Sequence, residues 1–208
     1  MTNLTVYQIF DLVNRPHPVW LVRVDLSDTN LLWVDLSNCN LNWATLTKTE
    51  LNWSNLMGAS LIKTNMTMAN LFEAILEGAN LNEATLTRAN LTRANLNKVE
   101  MNDAVMVETN FNRAILSKAN MNRSNMNTAN FSRADLSKSN LVGSNLSGAD
   151  LSYANLFETN LAGANLRGAN LNNADLTGAN LAKADLTETQ MIGTILSETI
   201  MPDGTKHP

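Results

Sequence analysis

Ala79-Asn80-Leu81-Asn82-Glu83-Ala84-Thr85-Leu86-Thr87-Arg88-Ala89-Asn90-Leu91 repeats one phrase every five residues: a small residue, a polar one (most often Asn), Leu, then two variable positions. The same register runs far in both directions. From Leu21 to Met201 every fifth residue is Leu, Met or Phe, giving 37 central positions without a break. Two residues before each stands Ala in most repeats and otherwise Ser, Thr, Val or Cys39, and the slot between holds Asn or Asp in most. A period of five suits neither regular element. On an α-helix it advances about 140° per step and smears around the cylinder, and on a long strand it alternates faces. The chain must turn once per repeat. Within a short extended segment the small residue and the Leu, two apart, point to the same side, so both line an interior while the other positions make corners and face water.

Repeating this builds an all-β coil whose successive turns are joined by backbone hydrogen bonds about 4.8 Å apart. Side chains that break the pattern indicate how many sides it has, because like residues stack. Phe111 and Phe131 are 20 apart, as are Met101 and Met121, and Met106 and Met126; Ile75, Ile115 and Ile195 differ by multiples of 20. A three-sided coil matches some charged pairs but does not place Phe111 over Phe131, so four sides are favoured.

Over almost the whole chain after residue 18, the sequence resembles the pentapeptide repeat family. That resemblance implies a right-handed quadrilateral β-helix with four repeats per coil, the central Leu and preceding small residue inside, and here roughly nine coils in a rod about 40 Å long. Residues 1–18 are expected to form an N-terminal helical cap and a Pro-bearing linker, 19–201 the coil and 202–208 a tail. Val6, Ile9, Phe10 and Val13 have the spacing of one helix face, and Arg15-Pro16-His17-Pro18 then breaks the helix. Met201-Pro202-Asp203-Gly204-Thr205 resembles the ending of many cyanobacterial members of the family. No cap is evident at the C-terminal edge, and an open strand edge can pair with another copy to give a homodimer.

Composition limits function. The formal net charge is −4, the pI is near 5.1 and aromatics are 5% of the 208 residues; generic nucleic-acid binding, which shows a basic excess, is not expected. No stretch approaches the roughly 20 apolar residues of a membrane helix, and no export signal is evident, so a cytoplasmic location is expected. His17 and His207 lie outside the repeats and Cys39 fills a small-residue slot. These cannot supply the three or four ligands of a zinc site or a Ser/His/Asp arrangement. Asp25, Asp35, Asp150 and Asp175 sit in the Asn/Asp slot, where they shape corners. No enzyme activity and no cofactor are expected.

Two surface features depart from the repeat background. Leu32, Trp33, Trp43, Trp53, Met57, Ile62 and Phe72 occupy variable positions that should face water. Such a patch marks an interface unless the N-terminal segment covers it. Charge is also zoned: residues 86–140 hold eight bases and four acids, residues 1–85 eight acids and four bases, and residues 141–201 six acids and two bases. With a 20-residue coil, Arg93, Arg113 and Arg133 form one column and Lys98, Lys118 and Lys138 another, one face away. They are either a docking face for an acidic partner or a solvated face.

Three readings of function follow. The first is a protein-interaction module presenting side chains at fixed spacing to a protein partner. The second is a nucleic-acid mimic, since some members of this family resemble duplex DNA and bind DNA gyrase; the basic belt interrupts the acidic surface this requires. The third is a purely structural spacer.

Overall fold

A computed structural model describes residues 18–208 together with Gln8 and Asp11. Gln8 and Asp11 are helical; the other residues from 1 to 17 of the expected cap and linker, His17 among them, lie outside the described residues.

Parallel bridges join each residue of the Asn slot to the one twenty positions later, from Trp20 with Asn40 through to Asn180 with Ile200. Four repeats therefore complete one coil, as the spacing of the two phenylalanines requires. Phe111 and Phe131, both fully buried, stack with ring centroids 4.7 Å apart and planes 6° from parallel.

One repeat shows how the backbone is satisfied. The N–H of Leu91 bonds the carbonyl of Asn110 in the next coil (2.7 Å), that of Arg93 bonds Asn112 (3.0 Å), and that of Asn95 reaches back to Ala74 (2.9 Å). The Ala94 N–H closes a turn onto Leu91 (3.0 Å), and the Thr92 N–H is taken by the Asn90 side chain (3.1 Å). Each of the five amides has an acceptor, which is the accounting a buried backbone demands. The preference for Asn or Asp follows directly, because its Oδ1 accepts the one N–H that neither the turn nor the neighbouring coil can use. Asp25, Asp35, Asp150 and Asp175 accept in the same way from Ser27, Ser37, Ser152 and Thr177.

The corner sits two residues after each central residue. From Arg23 to Glu198 every such position has a positive φ, between 53° and 70°, as the third residue of a type II turn must. Gly is comfortable there, but Trp, Arg and Lys side chains occupy many of these corners.

Every central residue from Leu21 to Leu181 is buried, and so is every small residue from Cys39 to Ala184. Met101, Met106, Met121 and Met126 are fully buried substitutes for Leu. Most polar residues of the small slot find an acceptor: the Thr109 hydroxyl donates to the Leu86 carbonyl at 2.7 Å, and Thr159 to Leu136 at 2.8 Å, whereas the buried Ser144 hydroxyl has no partner among the described residues.

The C-terminal end differs from the sequence expectation of an uncapped edge. Pro202–Gly204 turns the tail back, Ile200 pairs antiparallel with Lys206, and the His207 N–H bonds Thr199 at 2.8 Å. The tail covers one side only. The amides of Leu186, Met191 and Leu196 find no backbone acceptor among the described residues, and their side chains are half-buried. Proline at 202 and the freedom of Gly204 (φ 86°) make this reversal possible.

Candidate functional site

Stacking by twenty merges two features that the sequence presents separately. Trp33, Trp53, Glu73, Arg93, Arg113, Arg133 and Tyr153 all stand at one corner, in consecutive coils, each with a positive φ. The indoles of Trp33 and Trp53 stack at 4.8 Å, and Phe72 meets Trp53 edge-on at 5.8 Å. Trp33 is 70% exposed. Trp43 does not belong to this group: it lies ten residues from Trp33, half a coil away, beneath the Arg23 guanidinium (5.4 Å). The expected single tryptophan patch is thus divided between opposite corners, because alternate corners of a four-sided coil are diagonal.

The Arg column is not a bare stack of like charges. Arg93 pairs with Glu73 at 3.0 Å, and the Arg133 guanidinium carbon lies 5.2 Å from the Tyr153 ring centre. In the adjacent column Lys138 pairs with Glu158 at 3.5 Å and lies over the Phe157 ring at 5.7 Å. Acid and aromatic groups therefore take up part of the repulsion at the ends of the columns. Lys98, Arg113 and Lys118 have no carboxylate within 4.0 Å among the described residues.

The other two corners contrast with this. There Lys63 pairs with Glu83 at 3.2 Å, Arg88 with Glu108 at 2.7 Å and Arg123 with Asp103 at 2.7 Å. The Arg88 guanidinium hydrogen-bonds Glu108 through two nitrogens and holds its carboxyl below the usual range; Arg123 does the same to Asp103. Among the described residues of the central coils, unpaired positive charge is concentrated on the face that the chain crosses between Arg113 and Lys118.

At the middle of that crossing is Ile115, 45% exposed, bridged to Asn95 below and Asp135 above, with the exposed Ile75 one coil further down. Sequence reasoning used these isoleucines only to count sides and missed their exposure. The available signal was a β-branched residue in a slot where Asn is usual, since such a side chain cannot accept the corner amide and is left facing outward.

The remaining groups offer little reactive chemistry. Cys39 is buried, with the Val19 N–H 3.3 Å from its sulfur, and burial pushes the thiol up, which disfavours the nucleophilic thiolate. Among the described residues no three His, Cys, Asp or Glu side chains group as a metal site would need, and no helix is long and apolar enough to cross a membrane.

The sequence pattern described for pentapeptide repeats matches in eight copies, over residues 25–61, 35–71, 64–103, 89–127, 129–161 and 159–197. HetL, a pentapeptide repeat protein involved in heterocyst differentiation regulation from the cyanobacterium Nostoc sp. strain PCC 7120, is 30% identical, with 99% of this chain and 100% of that one covered and a TM-score of 0.40. The pentapeptide repeat protein Rfr23 from the cyanobacterium Cyanothece 51142 is 40% identical over 41% of this chain and 59% of its own, with a TM-score of 0.25. A trypsin-treated variant of QnrB1, a plasmid-mediated fluoroquinolone resistance protein, is 20% identical over 83% of this chain and 89% of its own, with a TM-score of 0.41. The comparison with curated proteins found no match. With the repeat pattern matched from residue 25 to 197, save residue 128, the chain belongs to the pentapeptide repeat family.

Proposed function

We propose that this chain is a non-enzymatic interaction module whose columns Arg93, Arg113, Arg133 and Lys98, Lys118, Lys138 dock an acidic protein partner. One observation carries the reading: among the described residues Lys98, Arg113 and Lys118 lack a carboxylate partner, whereas the central cations at the other two corners are ion-paired. A rigid coil holds these charges at fixed spacing, so binding orders little backbone, and the local potential opposes the net charge of −4. The scaffold is read as the right-handed solenoid of roughly nine coils that the family resemblance implies, and bridges at every twentieth residue support the four-sided coil.

Reversing two charges tests this. Arg113→Glu with Lys118→Glu should abolish retention of the partner in a low-salt pull-down from native extract. Thermal stability should stay within about 0.5 kcal/mol of the parent, because exposed charges contribute little to folding. Undiminished capture of every native partner by the double variant would overturn the docking face and leave a spacer. Mimicry of DNA finds less support, since Glu83, Asp103 and Glu108 are neutralised by Lys63, Arg123 and Arg88. Weak or no inhibition of gyrase supercoiling is therefore expected, and potent inhibition would reverse that ranking.

A further inference from the structure

We propose that the occupant of this face is an amphipathic α-helix lying along the rod axis, with an apolar row seated on Ile115 and acidic residues on both flanks. The proposal rests on the docking reading above and specifies the partner's form.

Spacing decides between the ways an acidic segment can lie here. Successive rungs of the Arg column are separated by about 4.8 Å, so Arg93, Arg113 and Arg133 stand near 0, ~4.8 and ~9.6 Å along the axis. An α-helix places residues i, i+3 and i+7 at 0, ~4.5 and ~10.5 Å, within about 1 Å of each rung. An extended strand places same-face residues i, i+2 and i+4 at 0, ~6.7 and ~13.4 Å, and misses the third rung by about 4 Å.

The cross-section of the face points the same way. Its two edges carry the Arg and Lys columns, and its floor between them runs Asn95, the exposed Ile115 and Asp135, with the exposed Ile75 one coil below between the corners Glu73 and Gly78. A helix with one apolar row between two acidic rows is the complement of the aliphatic Ile115 side chain set between two cationic walls. Asp135 in the same floor repels any anion seated directly above it and so favours an occupant whose acids stand on its flanks. The Asp135 carboxylate accepts from the Ser137 N–H and the Asn155 amide and so is already engaged. Val105 provides an internal contrast: it is also exposed in the Asn slot, but its flanking corners, Asp103 and Glu108, are paired with Arg123 and Arg88. That face has apolar floor without unpaired walls.

The test uses the full chain and three labelled probes in fluorescence anisotropy at low salt. One is a designed helical peptide of about 18 residues with a Leu row flanked by Glu; the second has the same composition, scrambled and carrying two prolines; the third is a single-stranded oligonucleotide. The helical peptide should bind at least roughly tenfold tighter than its scrambled form, because the latter cannot keep both acidic rows in register. Ile115→Asn, which restores the residue found at position 95 of the same column, should weaken the helical peptide roughly fivefold while leaving the salt dependence unchanged. Arg113→Glu with Lys118→Glu should remove binding of both acidic peptides.

Equal binding of the two peptides, with no effect of Ile115→Asn, would refute the helix while leaving the acidic docking face intact. Failure of both peptides to bind refutes the helix as well, and the pull-down with the charge-reversed protein then decides the docking face separately. Tighter binding of the oligonucleotide than of the helical peptide overturns both.

Discussion

Trp53 and Arg93 share one carboxylate: Glu73 accepts the indole N–H through Oε2 at 3.0 Å and pairs with the Arg93 guanidinium through Oε1 at 3.0 Å. This acid fastens the aromatic end of the corner to its cationic centre. Glu73→Ala should release both neighbours. The expected result is greater quenching of tryptophan fluorescence by acrylamide and a stability loss below about 1 kcal/mol, as partly exposed pairs usually give. Unaltered quenching would show that stacking on Trp33 and contact with Phe72 hold the indole without help.

Corner geometry leads to a second prediction. Lys48 has φ 56° and no carboxylate within 4.0 Å among the described residues. A left-handed backbone costs an L-residue about 1–2 kcal/mol, and glycine's extra chain entropy offsets part of the relief. Lys48→Gly should therefore stabilise the protein by about 0.5–1 kcal/mol in chemical denaturation. Lys48→Val, β-branched at the same φ, should destabilise it by a similar amount or more. Glycine and valine giving the same midpoint would mean the turn relaxes freely around its third residue.

The stacked phenylalanines give a third. Phe111 and Phe131 fill one interior column with no exposure to solvent. Phe111→Ala leaves a cavity bounded by coils that cannot collapse without breaking their inter-coil hydrogen bonds. A cost of about 3–5 kcal/mol is expected from equilibrium unfolding. Phe111→Leu, which installs the commonest central residue, should cost clearly less, and the reverse order would show that the coil narrows to fit alanine.

Acid stability follows from hydrogen-bonded carboxylates. Ser27 holds Asp25 below its ordinary pKa through hydroxyl and N–H, and Thr187 and Thr205 act likewise on Asp185 and Asp203. Arg123 and Arg88 depress Asp103 and Glu108. A carboxyl whose folded pKa is depressed contributes stability that is present above its unfolded pKa and is lost as pH falls through the lower folded value. The melting temperature should thus be flat from about pH 7 to about pH 5 and fall below about pH 4. Added salt should diminish the share from Asp103 and Glu108 but not that from the turn-bound aspartates. A melting temperature that rises below about pH 4 would contradict this assignment.

The interior was legible because it is periodic. Phe111, Phe131 and the four mid-chain methionines declared a twenty-residue coil, and the Asn/Asp slot announced its turn function. The surface was less legible for a geometric reason: its neighbours are twenty residues apart, so Trp33 and Trp53 belong with Arg93 and not with Trp43. Nor does a column of like charges reveal its own neutralisation. Glu73, Tyr153 and Glu158 are ordinary variable residues until the coil places them beside Arg93, Arg133 and Lys138. The C-terminal hairpin was not legible because its pairing of Ile200 with Lys206 lies outside the five-residue period.

Because successive coils are bridged in a register of twenty residues, the core and the surface obey different rules of counting. Deleting one five-residue unit between Trp53 and Arg93 would leave the interior pattern of small residue and Leu intact, yet rotate everything downstream by a quarter turn and carry the arginines away from the indoles. Deleting four units would shorten the rod and restore the alignment. For such a chain, gains and losses of sequence in steps of five are tolerable to folding but scramble recognition, while steps of twenty preserve both. Lineages that keep one binding face should therefore differ in length by whole coils.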